Sequence, residues 1–239
     1  MAKTIELLPG FDKLYMFGAP YHNKYMRGDT EDNTWALTLG KKKPPPQLTV
    51  RRQMGGACPT DFVWNCWVSP FVSQRVIDIL KASGCTGWKC FPVRMLNKAE
   101  RPAGRYYGLV ITGRCGPDDP EMSEIKADSP RTYPTLVGHY FHPETYDGSD
   151  LFLHRAAANG RQTGHMMASK RLVEVFEQAD IKNVRLEPIS KYEFSLCCVT
   201  GTQYRLSKEF WRRVSAAYRK RGWRKPAFVV PDRNRKRRD

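Results

Sequence analysis

The chain has 239 residues, of which 41% are hydrophobic and 12% aromatic, so it can bury a full core as one large domain or two packed halves and is not a disordered protein. No apolar run approaches the roughly 20 residues of a membrane-spanning helix, which argues against a helical membrane protein. The net charge of +16 is concentrated in residues 205–239, where 14 Lys and Arg stand against three acidic residues, and the other 204 residues carry only +5.

Two features predict the cellular location. The first ten residues, MAKTIELLPG, lack the apolar centre of a signal peptide. The seven cysteines are an odd number, scattered without the spacing of a small disulfide-rich domain, which favours a reducing compartment. We therefore expect a cytoplasmic protein.

The N-terminal segment, residues 1–47, is predicted to form short strands and turns rich in aromatic side chains. It contains the sequence KKKPPP at 41–46, which cannot continue a helix or a central strand and favours an extended, solvated stretch. We interpret this stretch as a surface linker. The alternative is a polyproline ligand for an aromatic groove on another protein.

A pattern of 22 residues occurs twice and is the main evidence for the fold. Residues 72–93, VSQRVIDILKASGCTGWKCFPV, align without a gap with residues 168–189, ASKRLVEVFEQADIKNVRLEPI, at an offset of 96. Nine positions are apolar in both copies, and three are identical: Ser73/Ser169, Arg75/Arg171 and Pro92/Pro188. A repeat of this kind predicts two related half-units; the alternative is a coincidence between two amphipathic helices.

Each copy predicts a helix, a turn and a strand. The serine should cap the helix, and apolar residues at i, i+3 and i+4 should form its buried face. The helices are expected to stop at Gly84 and Asp180, with turns at Gly87 and Asn183, which are residue types that tolerate positive φ. A period of two then indicates a strand, which the proline should close.

The remaining elements complete a predicted α+β fold of two strand-loop-helix-strand half-units packed as one domain. The half-units begin with strands at Asp61 and Asp150, and further strands are predicted at 105–111 and 192–199. A basic helix, 206–221, has an apolar stripe and is followed by a frayed tail. In chain order the predicted parts are the N-terminal segment 1–47, the first half-unit 48–111, a turn-rich connector 112–149, the second half-unit 150–204, and the basic C-terminal helix and tail 205–239.

No strong catalytic motif is present: the chain lacks HExxH, GxSxG, a P-loop and a Gly-rich fingerprint after a strand. His139 and His142, with Cys85 and Cys90, could supply four metal ligands. The two cysteines, however, align with Ile181 and Leu186 in the other copy, which core packing explains better. We therefore predict no catalytic residue, no cofactor and no metal, and hence a protein that is not an enzyme.

The second copy, with the strand before it, carries a family resemblance. The segment DLFLH…MMASKRLVEVFEQADIKNVRLEPI, residues 150–189, resembles the bacterial immunity protein 11 family, and residues 61–93 match more loosely. The chain is also similar to the double-CxxCG immunity-like proteins of myxobacteria. In this chain the corresponding segment is Thr112-Gly113-Arg114-Cys115-Gly116, in which Thr112 replaces the first cysteine of the CxxCG motif. The zinc site that the motif would suggest is therefore not transferred to this chain.

The resemblance implies a bacterial α+β binding protein that neutralises a polymorphic toxin made by the same cell and encoded nearby. Such recognition would use about 800 Å² of each partner. A strongly basic inhibitor is poorly matched to a basic nuclease toxin, so we expect an acidic or neutral toxin surface. The candidate contact surface is the polar loop 154–164, which interrupts the second half-unit; its alternative is a disordered insertion. The candidate residues in it are His154, Arg155, Asn159 and Arg161.

The alternative function is association with nucleic acid through the basic C-terminal arm. Cationic side chains there would contact phosphates without reading sequence, and Trp211 and Trp223 could stack on bases. The candidate cations are Arg233, Arg235, Lys236, Arg237 and Arg238.

Overall fold

The computed structural model describes residues 11–20, 27–29, 34–54, 60–65, 69–127, 134–155, 165–196 and 206–222. The strands are β1 (Leu14–Gly18), β2 (Arg27–Asp29), β3 (Leu48–Met54), β4 (Phe62–Asn65), β5 (Ser69–Ser73), β6 (Trp88–Leu96), β7 (Pro102–Ile111), β8 (Gly113–Cys115), β9 (Glu124–Lys126), β10 (Thr135–Val137), β11 (Leu151–His154), β12 (Met166–Ser169), β13 (Arg185–Pro188) and β14 (Glu193–Ser195).

The helices are α1 (Thr34–Thr38), α2 (Gln74–Ala82), α3 (Lys170–Gln178) and α4 (Lys208–Lys220), with 3-10 turns at Phe11–Lys13, Pro120–Met122, Pro143–Thr145 and Ile189–Lys191. Helices and strands are both abundant, so the predicted α+β class is confirmed. Among the described residues, no helix has the length and apolar character needed to cross a membrane.

The strands form three sheets. Six close into a barrel in the order β2-β3-β6-β7-β5-β4, and five form an open sheet in the order β13-β1-β12-β11-β8. The third sheet, β14-β10-β9, packs its apolar side chains against α4. The first half-unit therefore contributes to the barrel and the second to the open sheet.

The two half-units have the same topology. Four strands of the barrel, in the order β6-β7-β5-β4, correspond to four strands of the open sheet, in the order β13-β1-β12-β11. We call β7 and β1 the inserted strands, because each lies between, and antiparallel to, two strands of its half-unit. Tyr106 of β7 lies opposite Ser73, and Leu14 of β1 lies opposite Ser169. Since these serines are repeat partners, Leu14 is equivalent to Tyr106. In the first half-unit the inserted strand, β7, directly follows β6 in the chain. In the second half-unit the inserted strand, β1, comes from the N-terminal segment.

The structure corrects the predicted half-unit in two places. The residues just before each helix were predicted to be loop, but they form β5 and β12, which pair antiparallel with β4 and β11. Pro92 does not close its strand, because β6 continues to Leu96. The proline is tolerated because β3 pairs with β6 only from Val93 onward, so no backbone donor is needed on that side before it.

The predicted helix ends and turns are confirmed. Gly84 and Asp180 follow the helices with φ of 61° and 49°, and Gly87 and Asn183 have φ of 84° and 64°. A Cβ atom at Gly87 would lie 2.0 Å from the Leu151 carbonyl oxygen, so no larger residue fits this close approach.

The predicted N-caps are confirmed in position but differ in their hydrogen bonds. Ser169 Oγ accepts from the Leu172 amide at 3.3 Å, as a capping side chain does. The Ser73 hydroxyl makes no such bond and donates to Asp61 Oδ1 at 3.3 Å instead.

Each half-unit contains one ion pair whose members also form hydrogen bonds to the other half-unit. Asp61, which precedes β4, pairs with Arg75 of α2 at 2.8 Å, and it also accepts from the Lys182 amide of the other half-unit at 3.0 Å. Arg75 donates in addition to the Ala179 carbonyl at the end of α3. We call this set of contacts the Asp61 bridge.

The Asp150 bridge repeats the same contacts in the opposite direction. Asp150 pairs with Arg171 of α3 at 3.0 Å and accepts from the Thr86 amide of the first half-unit at 2.9 Å. Arg171 donates to the Ser83 carbonyl at the end of α2. Only 7% of the Asp150 side chain is exposed, so its charge depends on these partners rather than on water.

The helices share one hydrophobic core. Helices α2 and α3 each bury three apolar side chains in the same cluster, which also contains residues of the barrel and of the open sheet. The buried side chains of the two helices are Val76, Ile77 and Leu80 in α2 and Leu172, Val173 and Phe176 in α3. The half-units therefore fold against each other rather than as separate domains.

We predict that Asp150→Asn lowers the free energy of unfolding by about 2 kcal/mol, because the charge-assisted bonds to Arg171 and Thr86 are lost in a buried setting. Urea denaturation measures the change. The matched control is Glu174→Gln, which removes an exposed carboxylate 3.5 Å from Lys170 and should change stability by less than about 0.5 kcal/mol. Equal effects of the two variants would contradict the assigned role of the Asp150 bridge.

Candidate functional site: a basic-rimmed cavity

A cavity of about 320 Å³ opens on the surface of the second half-unit, where β1 begins and β12 leads into α3. Its walls are mostly apolar and come from the 3-10 turn before β1, the start of β1, and the segment around the turn Pro143–Thr145. The apolar residues that line it are Phe11, Leu14, Phe141, Pro143 and Tyr146. This combination of an apolar wall with a few polar groups is typical of binding sites.

Aromatic contacts keep the wall of the cavity in place. The rings of Phe11 and Phe141 pack edge to face with centroids 5.2 Å apart, and both side chains are almost completely buried. Tyr146 lies 6.2 Å from Phe141 and donates from its hydroxyl to the Ser149 carbonyl. The cavity is thus bounded by rings that already have partners.

The polar side of the cavity is cationic. Lys13, Lys170 and Arg171 line it together with Ser169, and none of the nine lining residues is acidic. Arg171 is engaged in the Asp150 bridge, and Lys170 lies 3.5 Å from Glu174 on the exposed surface of α3. Lys13 is exposed and forms no ion pair with any residue that the structure describes. We call this site the basic-rimmed cavity.

A second cluster, of three histidines, lies between the open sheet and the three-stranded sheet. His165 Nδ1 is 3.0 Å from His139 Nε2, and the His139 and His154 rings pack edge to face at 4.8 Å. His154 Nδ1 lies 2.9 Å from the Gly116 carbonyl, so this nitrogen carries the proton and donates. We call these three residues the histidine cluster.

Burial keeps the histidine cluster neutral. It lowers the pKa of His139 well below its usual value, and neighbouring His165 and His154 lower that pKa further. Burial also lowers the pKa of His165 to about 4 and lowers the pKa of His154, although Asp118 opposes both of these shifts. The cluster therefore serves as an uncharged packing unit at neutral pH.

The structure describes two of the four loop residues predicted to contact a partner. His154 is 0% exposed and belongs to the histidine cluster, so its ring has no surface to offer a partner. Arg155 is exposed, and its amide donates to the Cys115 carbonyl at 2.9 Å. Asn159 and Arg161 lie outside the described residues, as do Trp223 and the tail cations Arg233, Arg235, Lys236, Arg237 and Arg238.

The four side chains considered as metal ligands are not brought together as a set. Cys85 is buried in the shared core and Cys90 packs against it, whereas His142 is exposed beside Asp119. Over the described ranges, no group of three or more His, Cys, Asp or Glu side chains is arranged to hold a metal ion. The interpretation of Cys85 and Cys90 as residues that pack in the core is confirmed.

The predicted basic helix is confirmed as α4. Phe210, Val214 and Tyr218 are buried, and Trp211 packs against the same cluster, which confirms the apolar stripe. The opposite face is exposed and basic, with Lys208, Arg212, Arg219, Lys220 and Arg221.

No family model matches the chain, and no curated protein matches it. The immunity protein 11 resemblance of residues 150–189 accordingly stays a prediction.

Sequence reasoning missed the basic-rimmed cavity. Its residues come from three segments, 11–14, 141–146 and 169–171, and the first lies more than a hundred residues before the other two, so no spacing marks them. One signal was available: Lys170 and Arg171 directly follow the capping Ser169, which places two cations at the first turn of a predicted helix. A helix N-terminus already repels cations, so their presence there indicates a demand other than helix stability.

We predict that the free energy of unfolding falls as the pH falls from about 6.5 towards 4. An unfolded chain protonates its histidines near pH 6.5, whereas folded His165 stays neutral until about pH 4, so the unfolded state binds more protons between these values. Each histidine that stays neutral should contribute a slope of about 1.4 kcal/mol per pH unit. Urea denaturation at several pH values measures this slope.

The matched variants are His139→Phe and His142→Gln. His139→Phe keeps an aromatic ring against Tyr192 and Phe194 but removes one titrating group, so the slope should decrease. His142 has a 59% exposed side chain, and its replacement should change the slope less. An unchanged slope in His139→Phe would show that the cluster does not control the pH dependence.

Proposed function

We propose that the protein is an immunity protein, which binds a toxin made by the same bacterial cell and neutralises it by occupying its surface. The observation that carries the proposal is the basic-rimmed cavity, a preformed binding site on the surface of the second half-unit. Three of its residues, Ser169, Lys170 and Arg171, belong to the segment whose sequence resembles the immunity family most clearly.

The duplicated architecture supports a binding role in a second way. Binding proteins gain affinity when their contact surface is rigid before the partner arrives, because less conformational entropy is lost. Here the Asp150 bridge fixes the start of α3 on the edge of the cavity, and it is itself held by the first half-unit. The second half-unit therefore presents its surface in one arrangement.

Charge defines the kind of partner. The cavity rim is cationic, and the exposed face of α4 adds further Lys and Arg. A toxin with an acidic or neutral surface would be attracted to this protein, whereas a strongly basic toxin would be repelled. A salt-insensitive complex with a strongly basic toxin would contradict this argument.

The alternative function is nucleic-acid association through the C-terminal arm. The observation in its favour is the exposed basic face of α4, which leads directly into the basic tail. Such binding would be weak, independent of sequence and strongly reduced by salt.

The test is capture followed by rescue of growth. Tagged full-length protein is used as bait in nuclease-treated native lysate at about 0.3 M salt, which screens exposed charges. We expect one stoichiometric protein partner that stops growth when expressed alone, and growth should return when the bait protein is co-expressed. A captured protein that is harmless alone, or that stays toxic in the presence of the bait, would contradict the immunity proposal.

A full-length control separates the alternative. Replacing Arg233, Arg235, Lys236, Arg237 and Arg238 by Gln removes five charges and leaves the described residues unchanged. The immunity proposal expects full rescue by this variant. Loss of rescue, together with loss of nucleic acid retained at low salt, would favour the alternative function.

A further inference from the structure

The two half-units differ at the basic-rimmed cavity, and the difference shows how the cavity arises. In the first half-unit, Tyr106 stands at the position of Leu14, and its hydroxyl donates to the Thr60 carbonyl at 2.8 Å. Thr60 precedes Asp61 as Ser149 precedes Asp150. In the second half-unit the Ser149 carbonyl accepts instead from Tyr146, which belongs to a different segment.

The equivalent carbonyl groups of Thr60 and Ser149 therefore accept hydrogen bonds from tyrosines that belong to different segments of the chain. In the first half-unit the tyrosine is Tyr106 of β7, whose ring is buried in the barrel. In the second, the strand carries a leucine and the ring comes from the segment after the turn Pro143–Thr145. Leu14 and Tyr146 then both line an open cavity.

The volume and the wall of the cavity decide what it can hold. A space of about 320 Å³ is at the small end of ligand sites, enough for one large side chain or a ligand of comparable size. Leu14, Pro143 and Tyr146 give the cavity an apolar surface, and the rings of Phe11 and Phe141 are buried in the same wall, which favours an aromatic or branched aliphatic group.

The rim adds a requirement for negative charge. Lys170 forms an ion pair with Glu174, and Arg171 forms one with Asp150. Lys13 is therefore the cation most available to a ligand. An anion at the rim would meet this ammonium without displacing an existing ion pair. An apolar group with a carboxylate close to it satisfies both parts of the site.

We propose that the basic-rimmed cavity receives one aromatic or leucine side chain from an acidic segment of the partner, with a neighbouring carboxylate of that segment at Lys13. This inference rests on the proposed function, because it assumes that the neutralised toxin is the partner. The buried side chain is the anchor of the interface, and the carboxylate fixes its orientation.

A small probe tests the site without the partner. Sodium 3-phenylpropionate carries an aromatic group and a carboxylate, and 3-phenylpropanamide is its neutral analogue. We expect the carboxylate to bind the full-length chain with a Kd of about 1 mM in an NMR titration at low ionic strength. The amide should bind about fivefold more weakly, because it lacks the attraction to Lys13.

Two variants and one control locate the binding. Leu14→Phe puts a larger ring into the cavity and should weaken probe binding at least about fivefold, and its thermal unfolding midpoint reports whether the fold is kept. Lys13→Glu changes only an exposed residue and should weaken carboxylate binding at least about fivefold. Lys98→Glu makes the same charge change in the exposed turn between β6 and β7 and should leave probe binding unchanged.

The same variants are then tested against the captured toxin. Leu14→Phe and Lys13→Glu should each lower its affinity at least about tenfold and lose rescue of growth, while Lys98→Glu retains both. Full affinity in both cavity variants would overturn the inference, even if the probe binds. Failure of the proposed function is distinct, because the unaltered protein would then give no rescue at all.

Discussion

The carboxylate of Asp150 is held by groups from both half-units, and the arrangement of the second half-unit depends on this contact. It binds Arg171 and Ser169 at the start of α3 and the amide of Thr86 beyond the end of α2. Arg171 then reaches the Ser83 carbonyl, which α2 leaves without a helical partner. The Asp61 bridge repeats these contacts in reverse. Each helix is therefore tied by its first turn to the last turn of the other, above a core that both share.

The basic-rimmed cavity follows from the same contact. One side of it is the start of α3, which the Asp150 bridge holds, and the other side is the start of β1, which pairs with β12. The two halves differ in what occupies the space beside that helix start: Tyr106 in the barrel, and Leu14 with Tyr146 in the open sheet. Both half-units thus have the same connecting contacts, and the second has an open cavity beside its helix start.

The repeat, the helices and their turns could be predicted because their signals are local. Apolar spacing marks the helices, and Gly87 and Asn183 mark positive φ. β5 and β12 were missed because short, fully buried strands are continuous apolar runs without a period of two. The role of β1 was missed because its partners, β12 and β13, lie about 150 residues further along the chain. His139, His154 and His165 also come from separate elements, so their cluster needed the fold.

The claim that the second half-unit binds its partner at the basic-rimmed cavity is tested most directly by hydrogen exchange on the complex with the captured toxin. Backbone amides report local protection on binding, and each segment gives its own signal. The account predicts new protection at residues 11–14 and 170–172, with little change in the barrel strands β3 and β6. Protection confined to α4, or to residues 155–164, would contradict it.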